Sequence, residues 1–411
     1  MEYYDKYYDG IFWIQGNEES KTIATLYIDS NGDAIISSIQ SLTTNIHLDN
    51  LDGGWDKIDV VFGYINCHDK SNTYSIKLYD LWKIHESSGS LTKFKYKSSN
   101  SFIASSYDEN ICALKYKTIM ISSDIFNDWV PKSGFKFSSD TREIYVVSHN
   151  YEQPEKIDLF RNNNFHIYIY FRAYAGYPAR RNSYIKEEVF LNIETTDSFE
   201  IRELYRIKTS IERLLNILLF VPFQSTKSEF KSVSEKTYKA LRKNKEFHKV
   251  ISKKIEFEKF TSNSQAILSN WFLKQDKLEL IINNFFSVYG HEGVLIENKF
   301  LTYISVLENY HKNYIDTKAT LKKRLKYLLD NSTIKAKIED IENYAELLKI
   351  TRHYHIHLEE KHEEKALKLD EIAKANVLLE FVIRELFINE IGIDEKIENP
   401  FWIKKIETKT I

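Results

Sequence analysis

The period of the hydrophobic pattern changes once along this chain, close to residue 197, and the two halves must therefore fold differently. Before that point apolar residues alternate or run in short stretches rich in β-branched and aromatic side chains, the pattern of half-buried strands. Phe165-His-Ile-Tyr-Ile-Tyr-Phe-Arg-Ala173 is one such stretch, bounded by Asn162-Asn-Asn164 and Gly176-Tyr-Pro178. Thr22–Ile28 and Ala34–Ile39 flank Asn31-Gly32, a hairpin signal. Val60–Ile65, Tyr74–Leu78, Ile144–Val147 and Ile185–Ile193 continue the series. Asp197-Ser-Phe-Glu200 then has the spacing of a helix capping box, and Ile201, Leu204, Tyr205, Ile211, Leu215, Leu218 and Leu219 recur at helical intervals. Further helices are predicted over 265–289, 299–315, 318–330, 334–350 and 365–390, about five in all, joined by short connections. The class is α+β. An antiparallel β-rich domain, sandwich- or barrel-like, occupies 1–196; a linking helix and a basic insertion fill 197–264; an all-α bundle covers 265–411.

A chain of 411 residues is long enough for two or three cores. Two cysteines, Cys67 and Cys112, make neither a ligand cluster nor a disulfide framework, which suits a reduced compartment. The start, Met1-Glu2-Tyr3-Tyr4-Asp5, lacks the basic and then apolar run of a secretory signal. The longest apolar run, Ile217–Phe223, is far short of the ~20 residues of a membrane span. A cytoplasmic protein without membrane partners is expected.

The net charge of -2 conceals an asymmetry: residues 1–200 hold 20 Lys and Arg against 28 acids, residues 201–411 hold 37 against 31. A polyanion is steered towards the second half. Residues 224–259, with 11 Lys and Arg against five acids, interleave Phe230, Tyr238, Phe247 and Phe257. Such a stripe can bind a nucleic-acid backbone and stack bases, or be a structural insertion with solvated lysines.

The sharpest chemistry lies in Thr351-Arg352-His353-Tyr354-His355-Ile356-His357. A guanidinium is planar, permanently charged and able to hold a phosphate by two parallel hydrogen bonds. An imidazole gives or takes a proton near neutrality. Those two groups supply most of what metal-independent cleavage of RNA needs, because the RNA's own 2′-hydroxyl is the nucleophile.

Arg352, His353 and His357 fill the three fixed places of the motif of HEPN-domain ribonucleases: Arg, a polar residue, three more residues and His. The stretch from Phe300 through Glu308 to His311 resembles the earlier HEPN helix that presents a polar residue to the motif. The opening, Gly10-Ile-Phe-Trp13-Ile followed by Thr22–Asp29 and Asn31-Gly32, is similar to that of ApeA-type anti-phage proteins, which join a β-rich N-terminal domain to a C-terminal HEPN domain. The resemblance implies an endoribonuclease of abortive-infection defence, acting on RNA, with tRNA one candidate. It further implies 2′,3′-cyclic phosphate and 5′-hydroxyl product ends, no cofactor, a phage-derived trigger sensed or restrained through the N-terminal domain, and a homodimer or higher oligomer. On that reading His357 is the general acid or base, Arg352 stabilises phosphoryl charge, His353 orients substrate or the catalytic imidazole, and Glu308 holds one of these side chains. The run Lys322-Lys323-Arg324 is the candidate contact to the RNA backbone.

On a regular helix residues 353 and 357 share a face, whereas 352 and 357 lie ~140° apart. Arg's reach, an irregular turn or a second copy across a dimer must then bring guanidinium and imidazole to one phosphate. The broad apolar band of the last helix, from Leu369 and Ile372 through Leu379, Val382 and Ile383 to Leu386, adds a second reason to expect a dimer. Other readings stay open. His353, His355 and His357 would converge on Zn²⁺ from a strand, although helix-forming flanks oppose a strand. They could instead be ordinary polar groups on a helix, a reading to which His355 and His362 are assigned. Glu308 and His311 could be a surface pair at i, i+3 spacing. A HEPN bundle that binds nucleotide or RNA without cutting it is the main functional alternative. The chain has no Gly-x4-Gly-Lys phosphate loop, Gly-x-Ser-x-Gly elbow or His-Glu-x-x-His zinc motif.

Overall fold

The computed structural model describes residues 3–42, 57–66, 73–87, 92–104, 106–139, 147–179, 182–242, 255–291, 293–358 and 362–393. They form two compact units: one comprises residues 1–209 and 224–246, the other 210–223 and 247–411.

The first unit is built on a 13-stranded sheet whose strand pairings are all antiparallel. Strand Tyr74–Ser87 is long enough to change neighbours: Ser75–Tyr79 pairs with Asn100–Ala104, and Trp82–Ser87 with residues 93–97 of strand Lys93–Ser98. The second pairing closes six strands into a barrel, through Lys57–Ile65, Lys6–Ile14, Thr22–Ile28, Ala34–Ser38 and Lys93–Ser98. Alternate residues of these strands, among them Phe12, Leu26, Ile28, Ile36, Val61, Ile65, Leu78 and Tyr96, fill its interior. The Asn31-Gly32 hairpin is present: Asp29 Oδ1 accepts from the Asn31 and Asp33 amides, both at 2.9 Å. Gly32 has φ +85°, and a Cβ there would lie 1.9 Å from the Leu241 carbonyl oxygen, so only glycine fits.

The sheet continues beyond the barrel through Thr237–Ala240, Lys227–Ser232, Lys115–Ser122, Asn182–Glu200, Phe165–Ala179 and Ile157–Arg161. A separate hairpin pairs Phe135–Ser139 with Val147–Tyr151, so most of the stretch 144–147 read as a strand lies outside the described residues. A short helix, α1 (Asp124–Trp129), follows Lys115–Ser122.

Two details depart from the sequence reading. Asp197-Ser-Phe-Glu200 does not cap a helix, because strand Asn182–Glu200 resumes pairing there, Phe199 opposite Tyr116 and Glu200 opposite Lys115. Helix α2 (Ile201–Leu219) starts one residue later, with Glu203 Oε2 accepting from the Glu200 amide at 3.1 Å. The basic stretch is in part sheet: Lys227–Ser232 and Thr237–Ala240 are inserted strands. Phe230 and Tyr238 are fully buried, packed edge-to-face on Phe102 and Tyr116, and Phe257 is buried too. Those rings therefore cannot stack bases, while Phe247 lies outside the described residues.

The second unit is helical. After the second half of α2 it contains α3 (Phe257–Lys274), α4 (Glu279–Val288), α5 (Ile296–Tyr314), α6 (Leu321–Asp330), α7 (Ile341–His357) and α8 (Leu369–Glu390). The single helix predicted over 265–289 is two, broken at residues 275–278, and α3 begins earlier. Residues 333–337 form a 3-10 turn tied to α8, where Glu385 accepts from Ser332 Oγ and from the Thr333 amide. Helix α5 packs on α4, α6, α7 and α8, which makes it the spine of the bundle. The wide apolar band of α8 is buried at Ile372, Leu378, Leu379, Phe381, Val382, Ile383 and Phe387, leaving Leu369 and Val377 exposed. Burial within this chain thus accounts for most of its breadth. Among the described residues, no helix is long and apolar enough to cross a membrane.

Candidate functional site

Helix α7 carries the whole Arg352–His357 motif on its last two turns. Asp340 caps its start, accepting from the Asn343 amide at 3.0 Å. Its inward face is Tyr344, Ala345, Leu347, Leu348, Ile350 and Thr351. That apolar face ends at Thr351; Arg352 to His355 are half-buried, and Ile356, His357 and Leu358 are exposed. The helix stops because Leu358 turns left-handed at φ 52°, its amide donating to the Tyr354 carbonyl at 2.7 Å.

Thr351, wholly buried, ties this end down. Its hydroxyl donates to the Leu347 carbonyl at 2.8 Å and accepts the Leu367 amide at 3.0 Å, so the chain after the turn is fastened back on the helix.

Glu308 on α5 is the hub of the charged part. Its Oε2 is 3.2 Å from Arg352 Nη2 and its Oε1 is 3.2 Å from Arg324 Nη1, so one carboxylate bridges guanidinium groups from α6 and α7. Arg324 also donates to the Thr317 carbonyl at 3.0 Å. A guanidinium has five N–H donors, and Arg352 spends one on Glu308. The surface pairing of Glu308 with His311 is not formed: His311 is buried, with its ring edge-on to Tyr327 at 5.1 Å. Burial pushes the His311 pKa down, the neighbouring Arg324 charge adds to this, and a backbone hydrogen bond involving Asp316 opposes it.

The imidazoles gather beside this bridge. The rings of His353 and His357 stack at 5.9 Å and 22°, as their four-residue spacing requires. His362, beyond the end of α7, has its ring 6.4 Å from that of His353. The His353 pKa is lowered, first by burial and then by the charges of Arg352, Lys349, His357 and His362. Its neutral form is therefore favoured. His355 takes another direction, with its ring against Tyr354 at 5.1 Å. Since all three motif histidines lie on one helix, the strand geometry needed for a three-histidine zinc site does not exist here.

The basic run meets its expectation unevenly. Lys323 is exposed; Lys322 is half-buried and paired with Glu342 at 2.7 Å; Arg324 is buried on Glu308. Arg324 cannot serve as a surface contact for RNA, because its guanidinium faces inward on α6. Its part is to fix the carboxylate that fixes Arg352.

The family comparison places its boundary between α4 and α5, later in the chain than the boundary between the two compact units. Residues 8–287 match the model of ApeA N-terminal domain 1, and residues 296–397 match that of the ApeA-like HEPN domain. The chain belongs to the ApeA-type family. No curated protein and no solved structure matches it. The HEPN match takes in α5 to α8, hence Glu308, Arg324, Arg352, His353, His357 and His362. Sequence reasoning misses the roles of three residues at this site. Arg324 reads from the chain as an RNA contact, Thr351 carries no role there, and nothing in the sequence places His362 with the motif. The left-handed turn at Leu358 has no glycine or proline to announce it.

Proposed function

We propose that this chain is a metal-independent HEPN endoribonuclease acting in anti-phage abortive infection. The observation that carries the reading is the clamp Arg324–Glu308–Arg352 beside the His353–His357 stack: a fixed cation next to proton-transfer groups, within the HEPN-matching segment. Arg352 binds the non-bridging oxygens of the scissile phosphate and stabilises the charge that grows there. His357, exposed at the end of α7, transfers a proton at the 2′-hydroxyl or the 5′-leaving oxygen. His353, kept neutral, orients the phosphate or its neighbouring imidazole. The products carry 2′,3′-cyclic phosphate and 5′-hydroxyl ends. No step calls for a metal.

Arg352 is turned to α5 while His357 projects at the helix end, so a second copy in C₂ contact supplies a natural complement of charge. Exposed Ile356 and Leu358 beside the motif suit such a contact. Lys322 and Lys323 serve the RNA backbone, and the barrel-containing unit senses or restrains in response to a phage-derived trigger.

The test is expression of the full chain in cells with and without phage challenge, followed by sequencing of RNA ends. Cyclic-phosphate ends that appear with the wild-type chain, vanish in Arg352→Ala and His357→Ala, and form equally in EDTA with purified protein support the proposal. Intact RNA under challenge favours a non-cutting HEPN binder. Activity lost on chelation and restored by Zn²⁺ or Mg²⁺ overturns the metal-independent chemistry.

A further inference from the structure

Cleavage by 2′-hydroxyl attack needs two proton transfers. The O2′–H proton leaves as the O2′–P bond forms, and O5′ takes up a proton as the P–O5′ bond breaks. The two oxygens stand on opposite sides of phosphorus, so one imidazole within ~3 Å of one of them is poorly placed for the other. A site that completes both steps is served by two imidazoles several ångströms apart, with a cation held to the phosphate between them.

The motif by itself supplies one committed proton-transfer group, His357, and a second imidazole, His353, which lies deeper and touches both the charge of Arg352 and a third ring. That third ring belongs to His362, which lies outside the motif. Its centroid is 6.4 Å from that of His353 and its plane is inclined by 31°, against 5.9 Å and 22° for His357. His353 is thus a shared neighbour of two imidazoles, one on α7 and one in the chain beyond it. The approach of His362 is built in. Leu358 ends α7 at φ 52°, the Ala366 amide donates to the His362 carbonyl at 2.9 Å, and the Leu367 amide is held by Thr351 two turns before the end of α7.

We propose that His362 is a catalytic residue of this site, dividing the two proton transfers with His357. The neutral member of the pair accepts the O2′ proton, and the protonated member donates to O5′. The reaction leaves their protonation states exchanged, and water restores them. His353, the neighbour of both rings, is the positioning residue. This rests on the nuclease reading above and adds to it the residue that completes the acid–base pair.

The test uses the purified full-length chain on an RNA substrate that the wild type cleaves, over pH 5 to 9. Wild type is expected to give a bell-shaped rate profile. His362→Gln should cut about 10²–10⁴-fold more slowly and lose one limb of the bell. In His362→Ala, added imidazole should restore part of the rate. Melting temperatures and helix content of both variants separate chemistry from misfolding, and imidazole rescue keeps the test decisive if one variant is less stable. A His362→Gln chain that keeps both limbs, at full or reduced rate, overturns the assignment, as does a slow His362→Ala chain that imidazole does not rescue. Either result leaves the nuclease reading standing as long as wild type cuts and His357→Ala does not. A wild-type chain that cuts no RNA takes down both.

Discussion

Glu308→Gln is the most informative single change, because it removes one charge from a bridge of three and little volume. In the native site each carboxylate oxygen meets a different guanidinium at 3.2 Å, and the side chains of Glu308 and Arg324 are 24% and 8% exposed. The amide keeps one acceptor oxygen and turns an NH₂ towards the other guanidinium. One charge-assisted hydrogen bond is lost, worth about 1.5–3 kcal/mol. Arg324 is left with a buried charge compensated only in part, and breaking a fully buried pair costs about 3–5 kcal/mol. With a quarter of the carboxylate in water the combined loss settles at about 2–3 kcal/mol. For a unit of this size that lowers the melting temperature by about 4–12 °C. Cleavage should fall by about 10–100-fold, since Arg352 loses its anchor on α5. Calorimetry or circular dichroism on Glu308→Gln, Arg352→Ala and the double variant measures the coupling directly. A coupling of about 1 kcal/mol is expected for this pair, each side chain a quarter exposed. If the two single losses simply add, to within about 0.3 kcal/mol, Glu308 does not hold Arg352 and the clamp is an accident of packing.

Arg352→Ala and His357→Ala should each reduce cleavage by at least about 10²-fold, with His357→Ala melting within about 1 °C of wild type because the side chain is exposed; His355→Ala, whose ring packs on Tyr354, should leave the rate nearly unchanged, and the reverse pattern would show the wrong helix face has been chosen. Thr351→Val keeps the shape but leaves the Leu367 amide without its acceptor in a buried place, costing about 1–3 kcal/mol in denaturant unfolding and slowing cleavage by loosening the return of His362; unchanged stability would mean the tether is unimportant. The lowered pKa values of His353 and His311 mean that the unfolded chain binds protons first, so stability present above about pH 6.5 falls as the pH drops below it. His353→Gln should flatten that decline in melting curves between pH 7.5 and 5, and an equally steep decline in the variant would remove His353 as a source.

Much of this protein was legible from the chain because it depends on local period and local chemistry. Alternation from Thr22 to Ile28 around Asn31-Gly32 dictates a hairpin wherever it sits, and the three-to-four spacing of α5 and α7 dictates helices with one buried face. The four-residue interval between His353 and His357 is enough to stack them. Long-range closure was not legible. Nothing local shows that Tyr74–Ser87 serves two neighbours and shuts a barrel, or that strands at 227–240 insert into a sheet begun before residue 200. Asp197–Glu200 carries a helix-start signal, yet strand pairing with Lys115 and Tyr116 outweighs it. The site divides in the same way. Arg352 and His357 announce themselves by type and spacing, since a phosphate needs a fixed cation and a proton carrier whatever the fold. The carboxylate that grips two arginines, and the histidine beyond the end of α7 that meets His353, come together only through packing between α5, α6 and α7 and through the Thr351 tether. Those contacts join residues up to 44 positions apart in sequence, Glu308 to Arg352, and no local pattern in the chain records which distant partner a buried charge will find.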